Sequence, residues 1–205
     1  MTHAERLVAE RGFRGVAASE VVRAAGQKNN SAIAYHFGSW DGLLDAIWER
    51  HTVSINESRG ELLERAGSNG PAELATLVGI YVDPIVSEMA RNEPSYWARF
   101  NEQWLACAPL NVFEPGTPAP GAQAHNPDPE SVAALTKLLN QLVEKVPHLP
   151  PDERTRRVAL MARFVIGGLA AWERDAQAQR QDLEEFGGEL VTLAVALLQA
   201  PASSR

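Results

Sequence analysis

The sequence predicts an all-α protein with a three-helix N-terminal domain and a larger helical C-terminal domain, and three observations support this fold class. Apolar residues recur at helical spacing along most of the 205 residues. Runs of β-branched residues in two-residue alternation are missing from the sequence. Serine, asparagine, glycine and proline stand where helices would begin or end. We expect the domains to cover residues 1–48 and 49–205.

The N-terminal domain is expected to contain three short helices. Gly12 and Gly26 provide stops after the first two. Asn29 or Asn30 is a good N-cap for the third, which runs to Phe37. The expected ranges are about 3–11, 18–25 and 29–37.

Six further helices are expected in the rest of the chain. Ser39 can cap the first of them, Pro71 suits the first turn of the next, and Pro84 should kink that same helix. The segment 109–129 holds six of the thirteen prolines and is expected to be a loop. The expected helices cover about 40–65, 71–92, 94–107, 129–146, 151–179 and 182–199.

Composition and charge bear on three questions: whether the protein could bind phosphate, form a disulfide or span a membrane. The net charge is −7, but residues 1–51 hold six basic and six acidic side chains, so the whole excess lies beyond them. No acidic residue occurs between Glu20 and Asp41, which is compatible with phosphate binding. Cys107 is the single cysteine, so no intrachain disulfide can form. No apolar run is long enough to span a membrane, and we expect a cytoplasmic protein.

Three short helices joined by tight turns indicate a helix-turn-helix. On the third helix, Ile33 and Phe37 are four residues apart and can face the core. Short polar side chains at the start of such a helix can reach base edges in the major groove. Asn29 or Asn30 could pair with adenine and Lys28 with phosphate or guanine. The expected phosphate donors are Tyr35 and His36, although these two side chains and Phe37 could also be core residues of a helical domain.

The residues of this region resemble the TetR, or tetracycline repressor-like, family. The resemblance spans about residues 4–48. It rests on Gly-Phe-Arg-Gly at 12–15, Ala-Gly at 25–26, Tyr-His-Phe-Gly-Ser at 35–39 and Leu-Leu at 43–44. The resemblance implies that residues 29–37 form the recognition helix of a DNA-binding regulator. It adds Ser19, Asn30, Ser31 and Ala32 to the expected DNA contacts, and it implies a homodimer on a palindromic double-stranded operator.

Some residues depart from the pattern of that family. Val16 and Ala17 occupy positions where a threonine or serine is usual, and Trp40 stands where a phosphate-binding lysine is common. One extra residue lies between Gly26 and Tyr35. These departures motivate an alternative, in which the protein is a helical ligand-binding dimer that has lost DNA binding.

Large apolar side chains of the C-terminal domain have two interpretations. They form either a plain core or a pocket for a small apolar or aromatic ligand, because such pockets are lined mainly by apolar groups. The resemblance implies a ligand pocket in this domain, near a kinked helix. The residues expected to line it are Tyr81, Met89, Trp97, Phe100, Trp104, Met161 and Phe164.

The last two helices carry an apolar stripe and the small residues Gly167 and Gly168, which allow close helix contact. This stripe could serve intrachain packing, or, as the resemblance implies, pairing with a second copy. An enzyme is not expected, because HExxH, CxxC, P-loop and GxSxG motifs are missing. The five histidines show no metal-ligand spacing, so neither a metal nor a cofactor is expected.

Overall fold

The chain folds as a set of α-helices in a computed structural model that describes residues 1–27, 29, 31–68, 70–107, 110, 132–176 and 182–202. These residues form nine helices and no strand, which confirms the all-α class. Apart from Leu110, the proline-rich segment 109–129 lies outside them. The helices are α1 (Thr2–Arg11), α2 (Ala18–Ala24), α3 (Ala32–Phe37), α4 (Trp40–Gly67), α5 (Leu74–Arg91), α6 (Trp97–Cys107), α7 (Ala133–Glu144), α8 (Pro151–Ala176) and α9 (Leu183–Gln199).

Helix α4 begins at the expected cap. The Ser39 hydroxyl accepts a hydrogen bond from the Gly42 amide at 2.9 Å, which satisfies one of the free amides at the helix N-terminus. The helix then continues without a break to Gly67. It therefore crosses residue 48, where the domain boundary was predicted, and this boundary stays a prediction.

One continuous apolar core joins the N-terminal helices to the rest of the protein. Helix α6 packs against α8, α5 packs against α9, and α4 packs against both α5 and α7. Leu43 and Ile47, near the start of α4, are as fully buried as Phe100 and Ile166 in the larger domain. Among the described residues, no helix is long and apolar enough to cross a membrane.

Helices α8 and α9 approach each other closely at a glycine. A Cβ atom placed on Gly168 would lie 2.7 Å from Cδ2 of the buried Leu190, so no larger residue fits there without a shift. The neighbouring Gly167 meets no atom within 4 Å. The glycine pair therefore divides its roles: Gly168 serves intrachain packing, and Gly167 lies on the open side of α8.

The end of α9 is fastened to α8 by one arginine. The Arg157 guanidinium donates to the carbonyls of Leu197 at 3.0 Å and Ala200 at 2.8 Å, and also to that of Pro201 at 3.2 Å. The last carbonyls of a helix have no intrahelical partner and carry partial negative charge, so a cation there is favourable.

A carboxylate from α8 caps the N-terminus of α6. Glu173, which is 3% exposed, accepts hydrogen bonds from the amides of Ala98 at 3.0 Å and Arg99 at 2.9 Å, and from the Ser95 hydroxyl at 2.7 Å. Burial raises the pKa of Glu173, although these donors and the Arg99 charge act in the opposite direction. This cap fixes α6 against α8.

Candidate functional site

The turn that follows α2 has the geometry of a helix-turn-helix. Gly26 adopts a φ of 68°, a left-handed conformation that favours glycine. Its amide donates to the Arg23 carbonyl at 3.0 Å, and the Gln27 amide donates to the Val22 carbonyl at 3.0 Å. This pair of bonds is a Schellman motif, which ends α2 sharply and turns the chain towards α3.

Helix α3 starts later than the sequence predicted. It begins at Ala32, and the Asn29 side chain accepts a hydrogen bond from the Ser31 amide at 2.9 Å. Asparagine readily bonds the backbone two residues ahead of itself, and this turn competes with helix formation. Asn29 therefore shapes the entry to α3 from outside the helix instead of capping it.

The two faces of α3 differ as predicted. Ile33 is buried and Phe37 packs against the core, so one face anchors the helix. Tyr35 is 84% exposed, and its ring meets the exposed His36 ring edge-on, with 4.9 Å between centroids. Two large polar-tipped side chains thus stand free on the surface of a short, firmly anchored helix.

The other predicted DNA contacts surround this surface. Ser31 is exposed and Ala32 is partly exposed at the start of α3, and Ser19 is exposed in the first turn of α2. Lys28 and Asn30 lie outside the described residues. The described members of the predicted interface thus lie at or near the two helices, and their role in DNA binding stays a prediction.

Helix α2 lacks a side-chain cap at Ala17, as the sequence suggested, but a carboxylate replaces part of it. The Glu20 side chain accepts from the Ala17 amide at 3.0 Å and pairs with Arg11 at 3.2 Å. The bond from the Ala17 amide, with help from Arg11, lowers the pKa of Glu20. Trp40, which stands at the usual lysine position, packs partly buried against the core and has no charge to offer a phosphate.

The residues predicted to line a ligand pocket separate into two groups. Most of them are buried in the centre of the larger domain, where Trp97 and Phe100 stack with 6.0 Å between ring centroids. Trp104 is partly buried and lies 6.3 Å from the Trp48 ring, and Phe164 lies on the outside of α8 with 36% exposure. The buried members are Tyr81, Met89, Trp97, Phe100 and Met161.

Sequence reasoning missed a buried ion triad centred on His51. Its Nδ1 lies 2.8 Å from Oε1 of Glu88, and its Nε2 lies 3.0 Å from Oε1 of Glu5. All three side chains are at least nine-tenths buried, and the Trp97 ring stacks on the imidazole at 4.7 Å. The triad joins α1, α4 and α5.

The two carboxylates of the triad favour the charged form of His51. Burial by itself would lower the pKa of His51, but hydrogen bonds and charge from Glu5 and Glu88 outweigh burial and raise it. Burial would raise the pKa of Glu88, but hydrogen bonds from Ser54, His51 and Arg91 lower it. With a carboxylate at each ring nitrogen, the imidazolium is the form that satisfies both neighbours.

A second contact fixes the N-terminal helices to the larger domain. The Phe13 ring, in the turn after α1, meets the Phe100 ring edge-on with 5.5 Å between centroids. Phe100 in turn stacks on Trp97, which covers His51. The turn between α1 and α2 is therefore in direct contact with Phe100, one of the predicted ligand-binding side chains. Over the described residues, no group of three or more His, Cys, Asp or Glu side chains is placed to hold a metal.

One comparison with known proteins, a family model, agrees with the geometry of the N-terminal helices. Residues 1–47 match the family model of the bacterial regulatory proteins of the TetR family. A comparison with curated proteins found no match. A solved structure of a protein with unknown function from Rhodococcus sp. RHA1 is similar to this chain with a TM-score of 0.44 and 20% sequence identity, over 97% of this chain and 90% of that chain. The first 47 residues thus match the DNA-binding domain of this family, which supports a helix-turn-helix DNA-binding regulator of the TetR type.

Proposed function

We propose that this protein is a ligand-responsive repressor that binds a palindromic operator as a homodimer. The observation that carries the proposal is the exposed Tyr35–His36 pair on α3, opposite the buried Ile33. A helix anchored on one face and polar-tipped on the other is suited to a DNA groove. In the dimer, two such helices would lie about 34 Å apart, one turn of DNA. Such a protein acts in the cytoplasm.

The face for the second copy is proposed on α8 and α9. Leu160 and Phe164 are one helical turn apart and both exposed, and the open side of Gly167 continues the same stripe. Leu193 adds an exposed leucine on α9. Large apolar side chains grouped on one surface are typical of an interface. We therefore assign Phe164 to the dimer face instead of the ligand pocket.

The proposed ligand is a small molecule with an apolar or aromatic body, held among the buried side chains of the larger domain. Met89, Trp97 and Met161 offer soft and aromatic surface there. A ligand that moves Trp97 would act on the contacts that Trp97 makes with His51 and Phe100. Those contacts reach α1 and the turn after it, so ligand binding and the spacing of the DNA-binding helices are linked.

The test is fluorescence anisotropy of the full-length protein on DNA from its own promoter, over a range of salt concentrations. We expect saturable binding that exceeds binding to scrambled DNA and weakens as salt rises. The double substitution Tyr35→Ala and His36→Ala should abolish this preference. As a matched control, Glu61→Ala with Arg65→Ala removes an exposed ion pair on α4 and should leave binding intact.

The rival candidate is a helical ligand-binding dimer that has lost DNA binding. It is favoured by Trp40, which packs against the core in place of a phosphate-binding lysine, and by the buried Val16. Unchanged affinity in the Tyr35→Ala, His36→Ala protein, or no preference for promoter DNA even at low salt, would overturn the regulator proposal and support this rival.

A further inference from the structure

Arg59 is an arginine buried in the larger domain between α4 and α5. It is 4% exposed, and its guanidinium lies over the Tyr81 ring with 5.1 Å from Cζ to the ring centroid. It donates to the Asn56 side-chain oxygen at 3.0 Å and to the Tyr81 carbonyl at 3.1 Å. Among the residues that the structure describes, its Nε finds no hydrogen-bond partner.

This guanidinium has no counter-charge among the described residues. Both of its hydrogen bonds go to neutral oxygens, and no described carboxylate forms an ion pair with it. Burial lowers the pKa of Arg59 to about 10, so the group still carries its charge at neutral pH. An isolated charge inside a protein is costly unless an opposite charge accompanies it.

A second arginine affects the pKa of the same tyrosine. The positive charge of Arg163 on α8 lowers the pKa of Tyr81, while the Arg163 guanidinium itself donates to the Leu105 carbonyl at 2.9 Å. Burial raises the pKa of Tyr81 to about 12, against the effect of both arginines, so its hydroxyl keeps its proton and can donate a hydrogen bond. The cluster thus combines the Arg59 guanidinium, the Tyr81 phenol and an Nε donor that has no hydrogen-bond partner among the described residues.

We propose that Arg59 and Tyr81 recognise the carboxylate of a small apolar acid. This inference rests on the proposed ligand-responsive function and names the chemical class of its ligand. A carboxylate fits the planar fork of a guanidinium and would supply the missing negative charge. A monoanion suits the site better than a phosphate ester, because the buried surroundings disfavour a second negative charge. The apolar body of the acid suits the neighbouring core.

A purely structural role for Arg59 is the competing explanation. Pro84 lacks the amide that would bond the Ile80 carbonyl, so the turn of α5 around Tyr81 is weakened, and the Arg59 bond to the Tyr81 carbonyl supports it. A neutral donor could make that bond without bringing a charge into the core. A role in supporting α5 therefore explains the hydrogen bond from Arg59 to the Tyr81 carbonyl. It does not explain why Arg59 is charged or why its Nε lacks a hydrogen-bond partner among the described residues.

The experiment measures thermal unfolding and binding of the full-length protein with four acids and their amides at pH 7.5. The acids are benzoate, phenylacetate, hexanoate and octanoate, and the four primary amides are neutral analogues of nearly the same shape. We expect at least one acid to raise the Tm and to bind at least tenfold more tightly than its amide, since a charge-assisted hydrogen bond is lost with the amide. Equal affinity within every pair would overturn the proposal.

Two variants then test whether the preference for the acid over its amide depends on Arg59. Arg59→Met should remove the preference for the acid, while Arg65→Met, on the exposed side of the same helix, should retain it. If Arg59→Met does not fold, the comparison of acids with amides on the unchanged protein still decides the matter. Retention of the preference in a folded Arg59→Met protein would overturn the site.

DNA release separates this proposal from the function on which it rests. An acid that binds through Arg59 but leaves promoter affinity unchanged supports the site and contradicts ligand-responsive repression. Release of DNA by an amide as readily as by its acid supports the regulator and overturns the carboxylate site.

Discussion

Nε2 of His51 lies 3.0 Å from Oε1 of Glu5, so the first helix of the DNA-binding domain shares a buried charge pair with the middle of α4. The other ring nitrogen contacts Glu88 on α5 at 2.8 Å. One imidazolium thus holds α1 and α5 together through α4. Because removing one partner of a buried ion pair leaves an uncompensated charge, this point should be sensitive to substitution.

Glu5→Gln should destabilise the protein while keeping the shape of the side chain. Glu88 still balances the imidazolium at Nδ1, but the amide offers no negative charge to Nε2, and we expect the free energy of unfolding to fall by about 1–3 kcal/mol. Urea denaturation followed by circular dichroism measures this change. The matched control is Glu10→Gln, which removes an exposed pair with Arg6 on the same helix and should cost about 0.5 kcal/mol or less. Equal costs for the two variants would contradict the role of the triad.

Stability should depend on pH through the same triad. The pKa of His51 is raised in the folded protein, so its contribution is complete below the unfolded value of 6.5 and is lost as pH rises through the folded pKa. The pKa of Glu88 is lowered, so its contribution is present above 4.5 and is lost as pH falls through the folded pKa. The triad therefore stabilises most between these two values.

Thermal unfolding of the wild-type protein and of His51→Gln, from pH 5.5 to pH 9, checks this dependence. The stability advantage of the wild type should be largest at the acidic end of this range and should shrink as pH rises. An advantage that stays constant across the series would show that His51 is not charged in the folded protein.

The glycine pair of α8 offers a matched test of packing. Replacing either glycine with alanine stabilises the helical conformation by about 0.5–1 kcal/mol. At position 168, however, the alanine Cβ would press on Leu190. At position 167 the Cβ would have no atom of the chain within 4 Å. Because overpacking costs about 1–3 kcal/mol, Gly168→Ala should be the less stable variant by about 1–2 kcal/mol in urea denaturation. The reverse order would show that α8 and α9 do not meet at Leu190.

The proposed dimer face on α8 should no longer bind a second copy when a charge is placed in it. Phe164→Glu puts a carboxylate in the centre of the exposed apolar stripe of α8, where a second copy would bury it without a partner. We expect sedimentation analysis to show a shift from dimer to monomer, together with weaker binding to a palindromic operator. Ser87→Glu adds the same charge on an exposed position of α5 and should leave the dimer intact. Two variants with the same dimer affinity would exclude this face.

The sequence was sufficient to predict the order of the helices and the DNA-binding motif, because both depend on local signals, although α5 begins at Leu74 and not at Pro71. Gly12, Gly26 and Ser39 act over one or two turns, and their roles in ending or starting helices are those expected. Ile33 and Phe37 face the core because a spacing of four residues places them on one side of α3.

The triad and the arginine site could not be predicted in this way. Glu88 follows His51 by 37 residues, and the two meet only because α4 packs against α5. Phe164 shows the same limit. An aromatic residue on an outer stripe looks like a core residue in the sequence, and only the packing of α8 reveals that its side chain is 36% exposed.

The uninterrupted course of α4 has a consequence for engineering. A chimaera of two such regulators would join the DNA-binding domain of one protein to the larger C-terminal domain of another. A graft that ends at residue 47 would cut α4 after its second turn and would carry Glu5 away from His51. It would also separate Phe13 from Phe100. A functional graft must therefore also include His51 and Phe100, the contact partners of Glu5 and Phe13. The exchangeable unit is thus larger than the helix-turn-helix motif.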